Sequence, residues 1–120
     1  MIGASPELGH KIVLMALDPR WHLLDHVKLH LVELFGSDGV TEVRVGAAFP
    51  RVNGVDVWLC TSTDDEKDRL RSKTRHLADV QAVLQGAGFS DVDIAKSTVT
   101  VQSQETVDRN FEGNWFHATR

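Results

Sequence analysis

The sequence predicts an α+β fold: an antiparallel sheet of 4-5 strands with two long helices packed on one face, in helix–hairpin–helix–hairpin order. Three observations predict it. Residues 20–35 space their apolar side chains as a helix does. Residues 43–49 and 55–61 alternate apolar and polar side chains on either side of Asn53-Gly54. The second half then repeats the order, a charged helical stretch closed by glycine and followed by β-branched runs.

The elements follow in turn. Ser5-Pro6-Glu7 has the form of a helix start, with an N-cap, a proline at the first helical position and an acid in the first turn. The apolar run 12–17 reads as either helix or strand, with helix preferred. Asp18-Pro19 gives a cleaner start. Beyond it Leu24, Val27, Leu31 and Phe35 share a face that Trp21, Leu23 and Leu34 widen, and Gly36 is expected to close the helix in the left-handed region. Val43, Val45, Ala47 and Phe49 alternate with polar or small residues, and Val55, Val57 and Leu59 alternate with Asp56, Trp58 and Cys60 on the return strand, whose second face is only half polar. Asn53-Gly54 between them is the signature of a type I′ turn, in which both central residues take positive φ.

Thr63 with Glu66 forms a capping box, and Asp64 and Asp65 suit a helix N-terminus. One helix is expected from there, charged in its first half, apolar at Leu77, Val80, Val83 and Leu84, and ended by Gly86 and Gly88. Val92 and Ile94 then alternate with charge, and residues 98–101 are β-branched throughout. Residues 110–114 read as a loop and 115–119 as a final strand. The stretches 40–45 and 89–94 share a pattern of residue types, the basis for a two-unit internal repeat. If 12–17 is a strand, the order becomes a ferredoxin-like βαββαβ with an additional C-terminal strand.

Bulk properties narrow the class. A chain of 120 residues is the length of one domain, 1–120, and buries roughly two thirds of its unfolded surface. An apolar fraction of 42% and a charged fraction of 25% are ordinary for a packed domain. The net charge of −4 argues against general binding to nucleic-acid phosphates. The single cysteine, Cys60, rules out an internal disulfide, and the run 12–17 is too short to span a bilayer. The expected location is the cytoplasm.

Four groups of residues are candidates for function. His22, His26 and His30 follow one another at i, i+4 spacing, with Glu33 three positions later, a pattern that can present imidazole and carboxylate to a divalent metal. On a helical wheel these residues lie opposite or beside the apolar stripe, which favours a solvated face over a metal site. The C-terminal run offers Asp108, Arg109, Asn110, Asn114, Trp115 and His117 around Gly113, with Trp and Arg the residue types favoured as interface anchors. Trp58 and Cys60 point away from the alternating valines and give the second sheet face a dry centre that needs a cover, from the chain's own N-terminal segment, a second subunit or a ligand. The basic residues 67–75 are interleaved with acids, as on a solvated helix face.

No phosphate-binding glycine loop, nucleophile elbow or paired-cysteine metal spacing occurs, and tyrosine is absent. The sequence therefore points to a non-enzymatic binding module with no cofactor, self-associating as a homodimer through the sheet face around Trp58. The alternatives are a small metal-dependent enzyme using the His22/His26/His30 helix, and a small-molecule-binding domain.

Overall fold

The computed structural model describes residues 18–73 and 75–118, with residues 116 and 117 given by their backbone alone. The helix start at Ser5 and the helix-or-strand choice at 12–17 lie outside the described residues.

Helix α1, Arg20–Phe35, buries Leu24, Val27, Leu31 and Phe35, the face its sequence period selects. Asp18 secures its start, accepting the Arg20 backbone N–H at 3.0 Å. The helix does not end on a left-handed Gly36. Gly36 stays right-handed at φ −57°, the chain tightens into a 3₁₀ turn over Gly36–Asp38, and the left-handed residue is Gly39 at φ 92°. The Glu66 carboxylate stands where a side chain at position 39 would project, so two constraints converge on glycine there.

Strands β1, Val40–Gly46, and β2, Asp56–Thr61, pair antiparallel, with Val43 opposite Leu59 and Val45 opposite Val57. The expected tight turn is not made. Asn53 is not among the residues of positive φ, and residues 47–55 form a long connection. Phe49, expected in the strand, leaves it and is fully buried. Its ring packs edge-on to Trp21 at 5.2 Å and beside Phe89 at 6.0 Å, with the Arg20 guanidinium 4.2 Å from its centroid. Burying that ring outweighs continuing the ladder. Gly54, at φ 103°, lets the loop approach so closely that a Cβ would meet the Lys96 carbonyl oxygen at 2.8 Å.

The single second helix is in fact two, α2 (Asp64–Ser72) and α3 (His76–Ala87), parted by an extended Lys73. The break lets each pack on a different partner: Leu70 of α2 turns to β2 and the strand beyond it, whereas Val80 and Leu84 of α3 turn to α1. The capping box at Thr63 and Glu66 is present as expected. Residues 89–94 are not a strand but lead into helix α4, Asp91–Lys96, capped by Ser90. This removes the internal repeat, because its other copy is β1.

Strand β3, Thr98–Ser103, lies parallel to β2, with Val57 opposite Val99 and Leu59 opposite Val101. Helix α5, Gln104–Phe111, follows without a loop, and α6, Trp115–Ala118, stands where a last strand was expected. Among the described residues the sheet is thus three-stranded and mixed, in the order β1-β2-β3, with β3 parallel to and directly beside β2. This overturns both the antiparallel sheet of four or five strands with two long helices and the ferredoxin-like alternative. The core lies on one sheet face, where Val43, Val57, Leu59 and Val101 meet α1, α2 and α3. Among the described residues no helix is long and apolar enough to cross a membrane.

Candidate functional site

Period-two geometry sends Glu42, Arg44, Trp58, Cys60, Thr100 and Gln102 to the sheet face opposite the core. The register sets Arg44, Trp58 and Thr100 side by side across the three strands, with Glu42, Cys60 and Gln102 in the next row. Trp58 is half-buried. The side chains of Arg44 and Glu42 are 40% and 53% exposed, and Arg44 Nε lies 3.2 Å from Glu42 Oε1, out of line for a hydrogen bond. The face therefore combines a tryptophan centre, the Arg44 cation beside the Glu42 carboxylate, and hydrogen-bonding residues.

Helix α6 reaches the same surface through Trp115. The Arg44 guanidinium sits 5.0 Å from the Trp115 ring centroid, a cation–π distance. Trp115 Nε1 donates to Gln104 Oε1 at 2.8 Å, which ties α6 to the start of α5. Trp58 and Trp115, expected in two separate groups, are thus linked through one arginine. Cys60 is 2% exposed, and its thiol pKa is pushed up to about 12, first by burial and then by the Glu42 carboxylate. A thiol so strongly protonated is packing, not a nucleophile.

The other C-terminal candidates separate. Asp108, Arg109 and Asn110 stand on helix α5, not on a loop, and all three are exposed. Asp108 accepts from Gln104 Nε2 at 2.8 Å. Asn114 links α5 to α6 through its backbone, donating to the Phe111 carbonyl and accepting from Ala118. His117 is placed on α6 by its backbone.

Arg109 belongs to a cluster the sequence reading missed. The parallel strands β2 and β3 end side by side and lead into α2 and α5. Asp64, at the start of α2, accepts hydrogen bonds from Ser103 Oγ, from Thr106 Oγ1 at 2.7 Å and from Arg109 Nη1 at 3.0 Å. Glu105 returns the favour to α2 by accepting the Asp64 backbone N–H at 3.0 Å. Lys67, almost fully buried, donates to Thr106 Oγ1 at 2.8 Å. The hydroxyls of Ser103 and Thr106, followed by Arg109, hold the Asp64 carboxyl far below the usual carboxylate range. The carboxyl ends of parallel strands are where open α/β sheets commonly admit ligands. Here the chain's own side chains fill that corner and lock two helix starts together. The overlooked signal was Ser103, whose hydroxyl accepts the Thr106 N–H as an N-cap.

A second missed cluster fixes the opposite end. Arg20 Nη1 donates to Asn53 Oδ1 at 2.9 Å and to the buried Asp93 Oδ1 at 3.0 Å, while its other nitrogens hold Asp18. Asp93 also accepts the Gly54 N–H at 2.9 Å. These contacts join α1, the β1–β2 connection and α4.

His22, His26, His30 and Glu33 are exposed on α1. Of these, His26 and His30 line an open groove of about 740 Å³ between α1 and α3, while His22 and Glu33 do not. Among the described residues no group of three or more His, Cys, Asp or Glu is placed to hold a metal ion. Compared with protein-family models, with curated proteins and with solved structures, the chain matches none.

Proposed function

We propose that this chain is a non-enzymatic interaction module that self-associates through the sheet face built on Arg44, Trp58 and Thr100. The observation that carries the reading is Trp58 itself, half-buried at the centre of a three-strand row with Arg44 beside it. Tryptophan and arginine are enriched among the few residues that carry most of the binding energy in known interfaces. The charges favour a second copy over an unrelated partner. Glu42 and Arg44 lie on the same face, and Asp56 shares it at the next position. A two-fold axis through Trp58, oblique to the strands, would bring the arginine of each copy toward Asp56 of the other, the self-complementarity that a symmetric contact requires. The clusters at the sheet's two ends support the reading too, because their polar groups are engaged in holding helices and connections together.

The test is Trp58→Asp. A buried aromatic anchor contributes about 2 kcal/mol or more, so the variant should dimerise at least about 30-fold more weakly. It should keep its circular dichroism, because Trp58 lies outside the hydrophobic core. Light scattering reads the mass. A folded variant that associates as strongly as the native chain contradicts the proposal.

A further inference from the structure

We propose that Asn53-Gly54 is a self-modifying site, at which the folded chain closes the Asn53 side chain onto the Gly54 nitrogen as a succinimide and releases ammonia. The dipeptide has the sequence of a tight hairpin turn but does not make one. It stands instead where α1, the β1–β2 connection and α4 meet, with Asn53 half-buried and Gly54 buried.

The groups that such a closure requires converge on the two reacting atoms. The nucleophile is the Gly54 backbone nitrogen, which is joined to Asn53 Cγ through a few bonds of the same residue pair, so attack is intramolecular and carries a high effective molarity. Glycine leaves that nitrogen unhindered, and a Cβ at position 54 would meet the Lys96 carbonyl oxygen at 2.8 Å. The base is Asp93, whose Oδ1 lies 2.9 Å from the Gly54 nitrogen and accepts its N–H. This is within the reach expected of a general base, and at 3% exposure Asp93 is shielded from water. The electrophile is polarised by Arg20, whose Nη1 donates to Asn53 Oδ1 at 2.9 Å, on the oxygen where negative charge develops. The same Nη1 holds Asp93 Oδ1 at 3.0 Å, so one guanidinium nitrogen links the carbonyl to the base. Asp18 in turn fixes the guanidinium by accepting from its Nε and Nη2.

The step balances with water as its only co-reactant. The Gly54 N–H gives its proton to Asp93 while the nitrogen's electron pair attacks Asn53 Cγ, and the carbonyl pair moves onto Oδ1 beside Arg20. That pair returns, the Cγ–Nδ2 bond breaks, and the departing nitrogen takes the proton from Asp93 and leaves as ammonia. Nothing is oxidised or reduced. Water then opens the imide at either carbonyl, which leaves aspartate or isoaspartate at position 53. The half-exposure of Asn53 gives ammonia a way out and water a way in. Either product adds a carboxylate beside Asp18 and Asp93 around the single Arg20 guanidinium. The event happens once per chain and is independent of the Trp58 face.

Mass spectrometry of the full-length chain tests this. During incubation of the folded chain at neutral pH, the peptide containing residue 53 should lose the mass of one ammonia and then settle at the mass of the carboxylic acid. The same chain unfolded in guanidinium chloride gives the intrinsic rate of the Asn-Gly sequence. The folded rate should exceed it by at least about 10-fold, a modest share of what a positioned acid–base group supplies. Asp93→Asn keeps an acceptor for the Gly54 N–H but cannot take its proton, so its folded rate should drop to the unfolded one or below, with native circular dichroism. A native folded rate equal to or below the unfolded rate overturns the proposal, because the contacts then hold the amide in place instead of activating it. A folded Asp93→Asn that reacts as fast as the native chain overturns it too. Should that variant unfold, the comparison of folded with unfolded native chain decides alone.

Discussion

Replacing Asp93 by alanine removes the acceptor that joins three parts of the fold at once. Its carboxylate, 3% exposed, accepts from Arg20 Nη1 at 3.0 Å, from the Gly54 N–H at 2.9 Å and from Ser90 Oγ at 3.2 Å. In Asp93→Ala the buried Gly54 N–H is left without a partner, which costs about 1–3 kcal/mol. Breaking a buried ion pair costs about 3–5 kcal/mol when the remaining charge is stranded. Arg20 is not stranded, because its side chain is 20% exposed and retains Asp18. The expected total is therefore about 3 kcal/mol. Asp93→Asn keeps an acceptor for Gly54 and loses only the charge, so about 1–2 kcal/mol is expected. Urea unfolding at neutral pH measures both, with the slope unchanged and the midpoint of the alanine variant lowered by about 1–3 M. A double-mutant cycle with Arg20→Ala should return a coupling above about 0.5 kcal/mol. If Asp93→Ala loses less than about 0.5 kcal/mol, Asp93 behaves as a surface carboxylate and the docking of α4 on α1 is wrong.

Other predictions concern the remaining clusters. The folded pKa of Asp64 is depressed, so its contribution to stability is present above the unfolded carboxyl value near about 3.9 and is lost as pH falls below it toward the folded value. Melting temperatures between about pH 5 and pH 2 should therefore fall more steeply for the native chain than for Asp64→Asn; parallel curves would count against the Ser103–Thr106 cluster. Cys60, with its thiol pKa pushed up to about 12, should resist maleimide at neutral pH in the folded chain and react once urea unfolds it. Rapid labelling of the native chain would show that the sheet face at Cys60 is open.

Local signals read correctly where one element settles its own structure. The stripe of Leu24, Val27, Leu31 and Phe35 needs only helical period and a cover, and the structure buries all four. The Thr63–Glu66 capping box is complete within four residues and forms as expected. Errors arose where tertiary partners decide. Val92 and Ile94 alternate like a strand, yet Val92 is 53% exposed and the residue between them, Asp93, is the buried one. What selects helix there is Ser90, whose hydroxyl caps the turn, and Arg20, distant in sequence, which neutralises the carboxylate. Likewise β3 reads as a strand from its β-branched residues, but its direction is a property of the path through α2, α3 and α4 that brings the chain back to β2. Phe49 kept the strand alternation and still left the ladder, because the aromatic pocket of Trp21 and Phe89 was closer to the core.

The site followed the same division. The alternation of β2 was enough to single out Trp58 on the second face, and the register adds Arg44 and Thr100 at its sides. Trp115 could be placed near it only once α6 was known, since a strand at 115–119 would have carried the ring elsewhere. The histidines of α1 keep their shared face, but spacing alone does not supply the third ligand that a metal needs.

Sedimentation equilibrium of the unmodified chain, from micromolar to millimolar, tests self-association through the Trp58 face most directly. The account predicts a concentration-dependent rise to the mass of two chains, moved to concentrations at least about 30-fold higher by Trp58→Asp. The mass of a single chain at every concentration would contradict it.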